Sequence, residues 1–296
     1  MKTPNTVTLA TSSAQIIIAP SLGGAMLAYD ATINGVSRAI FKSSTDATDV
    51  SQSCNFPLVP FSNRIRDGQF DWQGKSIQLP LNFYPSKHAI HGHGWQNVWG
   101  IEQQASDSLT LAYHHQASDW PFDYRAEQRF SLVDNQLTLE LSVTNTGNSE
   151  MPVGLGLHPY FTNTPQARVS ANVSEMWAVD DQTLPTTLVT PPKSLTTPEG
   201  MSIADNILDN VFIQWMGQAK VVWPEWQAKA TISTSKDCEF MVIYSPPGEN
   251  FFCVEPVTHC TDAINLAAKG QQNTGHRSLA PGKTFTISMV ITPSPL

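Results

Sequence analysis

The feature that most constrains the fold is a period-two alternation of apolar and polar residues that recurs along the chain. "QLTLELSVTN" sets Leu137, Leu139, Leu141 and Val143 on one face and Thr138, Glu140 and Ser142 on the other. "SLTLAY" repeats this with Leu109, Leu111 and Tyr113, and "KTFTISMVI" with Phe285, Ile287 and Met289. Residues two apart share one face of a strand, so each run can bury one side of a sheet. Turn dipeptides punctuate the runs: Asn34-Gly35, Asp67-Gly68, Asp134-Asn135 and Pro281-Gly282. No long segment keeps a helical period; "SIADNILDN" and "DAINLAAK" each read as a turn or two of helix. "NRIRDGQFDWQGKSIQL" reads as short strands joined at Asp67-Gly68 and Gln73-Gly74, and the Pro- and Thr-rich stretch 184–198 as a long loop. The expected fold is all-β, a large antiparallel β-sandwich forming a single domain over 1–296.

Composition agrees. Charged residues make up 14% of the 296, against about 25% in an average soluble chain. With 21 Pro and 17 Gly, that favours strands and turns over long surface helices. A net charge of −8 argues against nucleic acid as a partner, which needs a dense basic face. No apolar run reaches the length of a membrane span and no signal segment is visible, so no membrane association is expected. Cys54, Cys238, Cys253 and Cys260 form no CxxC pair. They read as buried free thiols in a reducing compartment, which points to the cytoplasm.

Against this apolar background a few polar residues need a reason. In "FFCVEPVTHC", Glu255 shares a strand face with Phe251, Cys253 and Val257. A charge in such surroundings needs a partner, a cavity or a ligand; a structural ion pair and a functional carboxylate are both open on this stretch alone. In "PFSNRIRDGQF", Arg64 follows Asn63 and offers a planar fork of donors to a hydroxylated ligand or a carboxylate, or else braces a turn. "KHAIHGHGW" clusters His88, His91 and His93. It reads as a metal pair, as a sugar clamp with Trp95 as a stacking face, or as loop histidines in solvent, above all His88 and His93. In "PVGLGLHPYF", His158 ends an apolar strand, where it is either a satisfied core residue or a proton carrier. In "NILDNVF", Asp209 opens a strand and can cap backbone or accept from ligand hydroxyls. Trp72, Trp95, Trp99 and Trp120 either line a cleft or fill the core, with at least two expected in the core.

Taken in order, these stretches resemble the aldose 1-epimerase (galactose mutarotase) family over most of the chain. "NRIRDGQF" is similar to the family's N-R-I-x-x-G-x-F segment and "AIHGHGW" to its L-H-G-G segment. "LHPYF" is similar to its H-x-Y-F signature, and "LDNVF" and "VEPVTHCTDAIN" to its Asp and Glu strands. "DDQTLPTTLVTPP" also looks like the loop between the family's His and Asp. The resemblance implies a β-supersandwich with a small-molecule aldose in a cleft across one sheet, no cofactor and no metal. It implies that Glu255 is the general base for the anomeric hydroxyl and His158 the general acid for the ring oxygen. Arg64, His91 and Asp209 would bind and orient the sugar, with Asn63 beside Arg64. Two departures, His93 in place of a second Gly and Pro256-Val257-Thr258 after the Glu, bear on sugar specificity.

The implied reaction interconverts α and β anomers of a free hexose through ring opening and closure, with acid and base on opposite sides of one C–O bond. Burial is expected to raise the pKa of Glu255, while Arg64 and a protonated His158 keep it ionised; the carboxylate in turn favours the imidazolium. Three rivals remain: a glycoside hydrolase using Glu255 with Asp209, a hexose-6-phosphate 1-epimerase, and a non-catalytic sugar-binding domain.

Overall fold

The computed structural model describes residues 4–296. Two large antiparallel sheets dominate. The first has nine strands, in the order Gly100–Gln104, Ser108–His115, Tyr124–Val133, Gln136–Asn145, Thr284–Pro295, Ala228–Thr234, Gln218–Trp223, Arg168–Ala171 and Met201–Ser202. Its long members carry the alternation: Leu137, Leu139, Leu141 and Val143 are buried while Gln136 and Glu140 are exposed. Asp134 turns between two of them with a left-handed φ of 51°, as a tight hairpin requires.

The second sheet has eight strands and runs Pro185–Val189, Glu175–Val179, Asp209–Ile213, Phe240–Tyr244, Phe251–Val257, Gly156–Leu157 and Pro57–Leu58, with Tyr160–Thr162 also paired to Phe251–Val257. Phe251–Val257 is buried on both faces from Phe252 onward, so it shows an apolar run instead of an alternation. A four-stranded sheet, Val7–Ala10 through Val36–Ala39, completes the main framework. One hydrophobic cluster extends from Leu9 to Ile291 and takes side chains from all three sheets. The Trp223 indole of the nine-stranded sheet donates to the Thr162 carbonyl of the eight-stranded one at 2.8 Å, which ties the layers together. The architecture is the expected all-β antiparallel sandwich.

Locally the chain departs from expectation at two places. Stretch 184–198 is not all loop: Pro185–Val189 is an edge strand on Glu175–Val179, followed by the 3-10 turn Lys193–Thr196. "SIADNILDN" is a turn and an extended segment rather than a helix, because the Asn206 amide closes onto the Ser202 carbonyl and the Ser245 hydroxyl takes the Leu208 N–H. The short strands Arg64–Ile65 and Gln69–Trp72 are joined at Asp67-Gly68 as read, through a 3-10 corner, and pair with different partners. The Gln73-Gly74 hairpin and a helix at Ala263–Ala268 form as read. All four cysteines are buried and free. Among the described residues no helix is long and apolar enough to cross a membrane.

Candidate active site

A cavity of about 270 Å³ opens on the eight-stranded sheet, and Asn63, Arg64, His91, His158, Asp209 and Glu255 all line it. Glu255 projects from the middle of Phe251–Val257, opposite Val242 of the neighbouring strand, and is 2% exposed. His158 follows Gly156–Leu157, and its backbone N–H donates to the Phe56 carbonyl at 3.2 Å. Its ring stacks on Tyr160 at 4.7 Å and packs tilted against Phe56 at 4.6 Å, and the two contacts fix its plane. That plane brings Nε2 to 3.4 Å from Glu255 Oε1. The two groups sit side by side rather than facing each other across the cavity. The difference is chemically permissive, since the oxygens they are expected to serve are bonded to the same sugar carbon.

The charges on this pair run against the expected mutual support. Burial, reinforced by the negative charge of Asp209, pushes Glu255 well above the usual carboxylate range, and Arg64 only partly offsets it. Burial lowers His158 to about 3, and the positive charges of Lys42 and Arg64 add to the shift. His158 Nδ1 is buried without a partner among the described residues. Both directions favour an uncharged pair holding its single proton on the carboxyl.

His91 is held differently. Its Nδ1 accepts from the Asn63 N–H at 3.1 Å, and its own N–H donates to the Asn63 carbonyl at 2.9 Å. The ring proton therefore sits on Nε2, available to a ligand oxygen. Burial first, then the His158 and Arg64 charges, keeps His91 neutral. Asn63 and His91 both adopt left-handed backbone, at φ 57° and 61°, a conformation that is rare outside glycine and clusters at functional sites. The Asn63 Oδ1 accepts from Arg64 Nη1 at 3.1 Å, and Arg64 Nη2 lies 3.5 Å from Asp209 Oδ2. Burial raises Asp209 against the pull of Arg64. Arg64 thus reaches the cavity braced from both sides, and Asp209 is paired with a cation rather than free.

The His91/His93 metal reading is not supported by the geometry. His91 packs edge-on to Trp95 and His158, whereas His93 stacks on His115 at 4.8 Å. The group of donors that does converge is His158, Cys253 and Glu255, whose ligating atoms lie within 4.8 Å of one another. Burial and the Glu255 charge push the Cys253 thiol well up, which leaves it protonated and poorly suited to a metal. Nor do His88 and His93 lie out in solvent. His88 is 2% exposed, with Nδ1 accepting from the Asp67 N–H at 3.0 Å, and His93 is partly buried. Trp95 lines the cavity; Trp99 and Trp120 are core, and Trp72 is partly buried. Sequence reasoning missed Lys42, Phe56 and Phe251 as cavity walls. "FKSS" and "SCNFP" contain no motif that marks Lys42 or Phe56, and Phe251 is read only as sharing a strand face with Glu255.

Comparison with known proteins shows the family. The family model for aldose 1-epimerase matches residues 5–292. The uncharacterized protein YphB of Escherichia coli K12 is 35% identical over 256 residues, 84% of this chain and 85% of that one. A crystal structure from Escherichia coli K12 superposes with a TM-score of 0.88 at 28% identity, covering 99% of both chains. A galactose mutarotase-like protein from Clostridium acetobutylicum superposes at 0.86 with 19% identity over 98% of this chain and 95% of that one, a likeness of fold. The chain belongs to the aldose 1-epimerase family.

Proposed function

We propose that the protein is a cofactor-independent aldose 1-epimerase, a single domain over 1–296 acting in the cytoplasm on the anomers of one hexose-sized sugar. The observation that carries this reading is the 3.4 Å approach of His158 Nε2 to Glu255 Oε1 on the wall of a cavity of about 270 Å³. Such a volume lies just under the roughly 300–1,000 Å³ of drug-sized pockets and suits a monosaccharide.

In the forward step Glu255 as carboxylate takes the O1–H proton. The electrons left on O1 form the C1 carbonyl, the C1–O5 pair passes to O5, and His158 as imidazolium protonates O5. Rotation about C1–C2 turns the other face of the carbonyl to O5. Closure then returns a proton from Glu255 to O1 and one from O5 to His158. The pair holds one proton throughout, and only its location changes. While the sugar is open, that proton is on Glu255 and His158 is neutral, the arrangement that burial favours. The site therefore leans toward the open-chain stage, and sugar hydroxyls at the pair must favour the ionic form to start the cycle.

His91 Nε2–H and the Arg64 guanidinium are assigned to the sugar oxygens around this bond, and Asp209 to a sugar hydroxyl. A hydrolase using Glu255 with Asp209 is less well supported, because Asp209 is engaged by Arg64 and Glu255 has an imidazole as its near neighbour. The test is polarimetry, or exchange NMR at equilibrium, on fresh α-hexoses with and without the protein. Anomer exchange should rise in proportion to protein concentration for at least one aldose. No acceleration for any neutral or anionic aldose would overturn the reading.

A further inference from the structure

We propose that Lys42 determines specificity by receiving an anionic substituent carried by the sugar away from C1, so that the substrate is an acidic aldose, a hexuronate or a hexose phosphate. The inference rests on the epimerase reading and adds the chemical class of its substrate.

Lys42 lies on the cavity wall. Its backbone N–H donates to the Tyr160 carbonyl at 2.9 Å, which anchors it to the sheet beside His158. Its ammonium stands 4.4 Å from the centres of both the Tyr160 and Phe251 rings, so two aromatic walls hold it in place. Among the described residues no carboxylate forms an ion pair with it, whereas the other cavity cation, Arg64, has Asp209. Glu249, exposed on the turn before Phe251–Val257, is the carboxylate whose charge is felt at Lys42, without pairing with it.

The charge of the cavity follows. Arg64 and Asp209 cancel. Glu255 and His158 share one proton and sum to zero wherever it sits, and His91 is neutral. Lys42 is left as one uncompensated positive charge in a cavity of a chain whose net charge is −8. Partial burial already lowers its proton affinity, which shows that the ammonium is held at a cost a bound anion would offset. The same anion would act on the chemistry. Lys42 is one of the charges holding His158 neutral, so pairing it with a substrate anion eases formation of the imidazolium that ring opening needs.

The experiment measures kcat/KM for anomer exchange with galacturonate, glucuronate, galactose 6-phosphate, glucose 6-phosphate, galactose and glucose, in wild type, Lys42→Met and Lys42→Arg. One acidic sugar should exceed the neutral sugar of the same stereochemistry by about tenfold or more, the usual worth of a hydrogen bond to a charged group. In Lys42→Met that ratio should fall by a similar factor, mainly through KM, and Lys42→Arg should restore part of it. Whether the carboxylate or the phosphate is the better arm identifies which anion the wall fits. Calorimetric binding of the methyl glycosides of the same acids, which have no free anomeric hydroxyl, gives a second readout that needs no turnover. Weaker binding to Lys42→Met there would uphold the Lys42 assignment even if no aldose were epimerised. Equal preference for neutral and acidic sugars in the wild type, or an equal loss on both in Lys42→Met, would overturn it.

Discussion

The ring of His259 fills the space that a side chain at Gly154 would need: a Cβ built there runs into Cδ2 and Nε2 of the imidazole. That ring is buried and fully bonded, with Nδ1 2.8 Å from the Cys260 carbonyl and Nε2 accepting from the Ser62 N–H at 3.1 Å. Ser62 immediately precedes Asn63 and Arg64. The small residue in "PVGLGLHPYF" therefore sets the position of two cavity residues on a distant segment.

Gly154→Ala should accordingly cost about 1–3 kcal/mol, the usual price of overpacking a filled core. It should also lower kcat/KM by displacing the Asn63–Arg64 backbone. Gly100→Ala is the control, since its nearest neighbour beyond the adjoining residues is the Ala112 carbonyl oxygen at 3.8 Å. Urea unfolding should separate the two variants, and equal midpoints would refute the packing argument.

Glu255→Gln keeps the shape of the side chain and removes its proton chemistry. If the carboxyl is the base, exchange should fall by about 10²-fold or more, and His158→Asn should do the same from the acid side. Both variants should remain folded, because Gln is uncharged and burial already favours a neutral group at position 255. Substantial exchange in a folded Glu255→Gln protein would remove Glu255 from the reaction.

Asn63 separates a backbone role from a side-chain role. At φ 57° an alanine is strained by roughly 1–2 kcal/mol and a glycine is not. Both substitutions delete the Oδ1 acceptor that holds Arg64. Asn63→Ala should therefore be the less stable by denaturation, while the two should share a similar rise in KM. A KM defect confined to Ala would mean that backbone shape alone is at work.

How far the sequence reveals this structure depends on where each strand lies. Gln136–Asn145 has one wet face, so its alternation is plain, whereas Phe251–Val257 is dry on both faces and is recognised only as an apolar run containing Glu255. Pro185–Val189 looks like loop because it opens on a proline, which the first residue of an edge strand tolerates. Ile203, Ile207 and Leu208 imitate a helical spacing, but Ser245, just past the strand Phe240–Tyr244, takes the Leu208 N–H. The convergence of Arg64, His91, His158, Asp209 and Glu255 on one cavity is legible in the ordered family motifs, not in any one stretch. Lys42 was invisible because an isolated lysine on the surface of a sequence looks like any other. Only Tyr160 and Phe251, brought beside it by sheet pairing, distinguish it.

The buried histidines give the protein a defined acid sensitivity. Burial lowers His158 to about 3 and His93 and His259 to about 4, and His91 is also pushed well down. In the unfolded chain each titrates near 6.5. A depressed histidine contributes stability that is fully present above the unfolded value and is lost as pH falls through it, at up to about 1.4 kcal/mol per pH unit per ring. Glu255 acts in the opposite sense: raised in the fold, it contributes stability at low pH that is lost as pH rises above its unfolded value of about 4.3. Asp30, Asp209 and Asp262 are raised as well, but less, and act nearer the acid end. His276 is lowered by burial too, so five rings against one strongly shifted carboxyl leave a net loss of stability from about pH 6.5 down to about 5. Urea midpoints across that range should fall on acidification. Glu255→Gln deletes the opposing group and should steepen the fall by up to about 1.4 kcal/mol per pH unit, while His93→Asn should flatten it by a similar amount. Parallel curves for wild type and both variants would show that these groups keep their ordinary proton affinities in the fold, and the neutral pair at Glu255 and His158 would have to be abandoned.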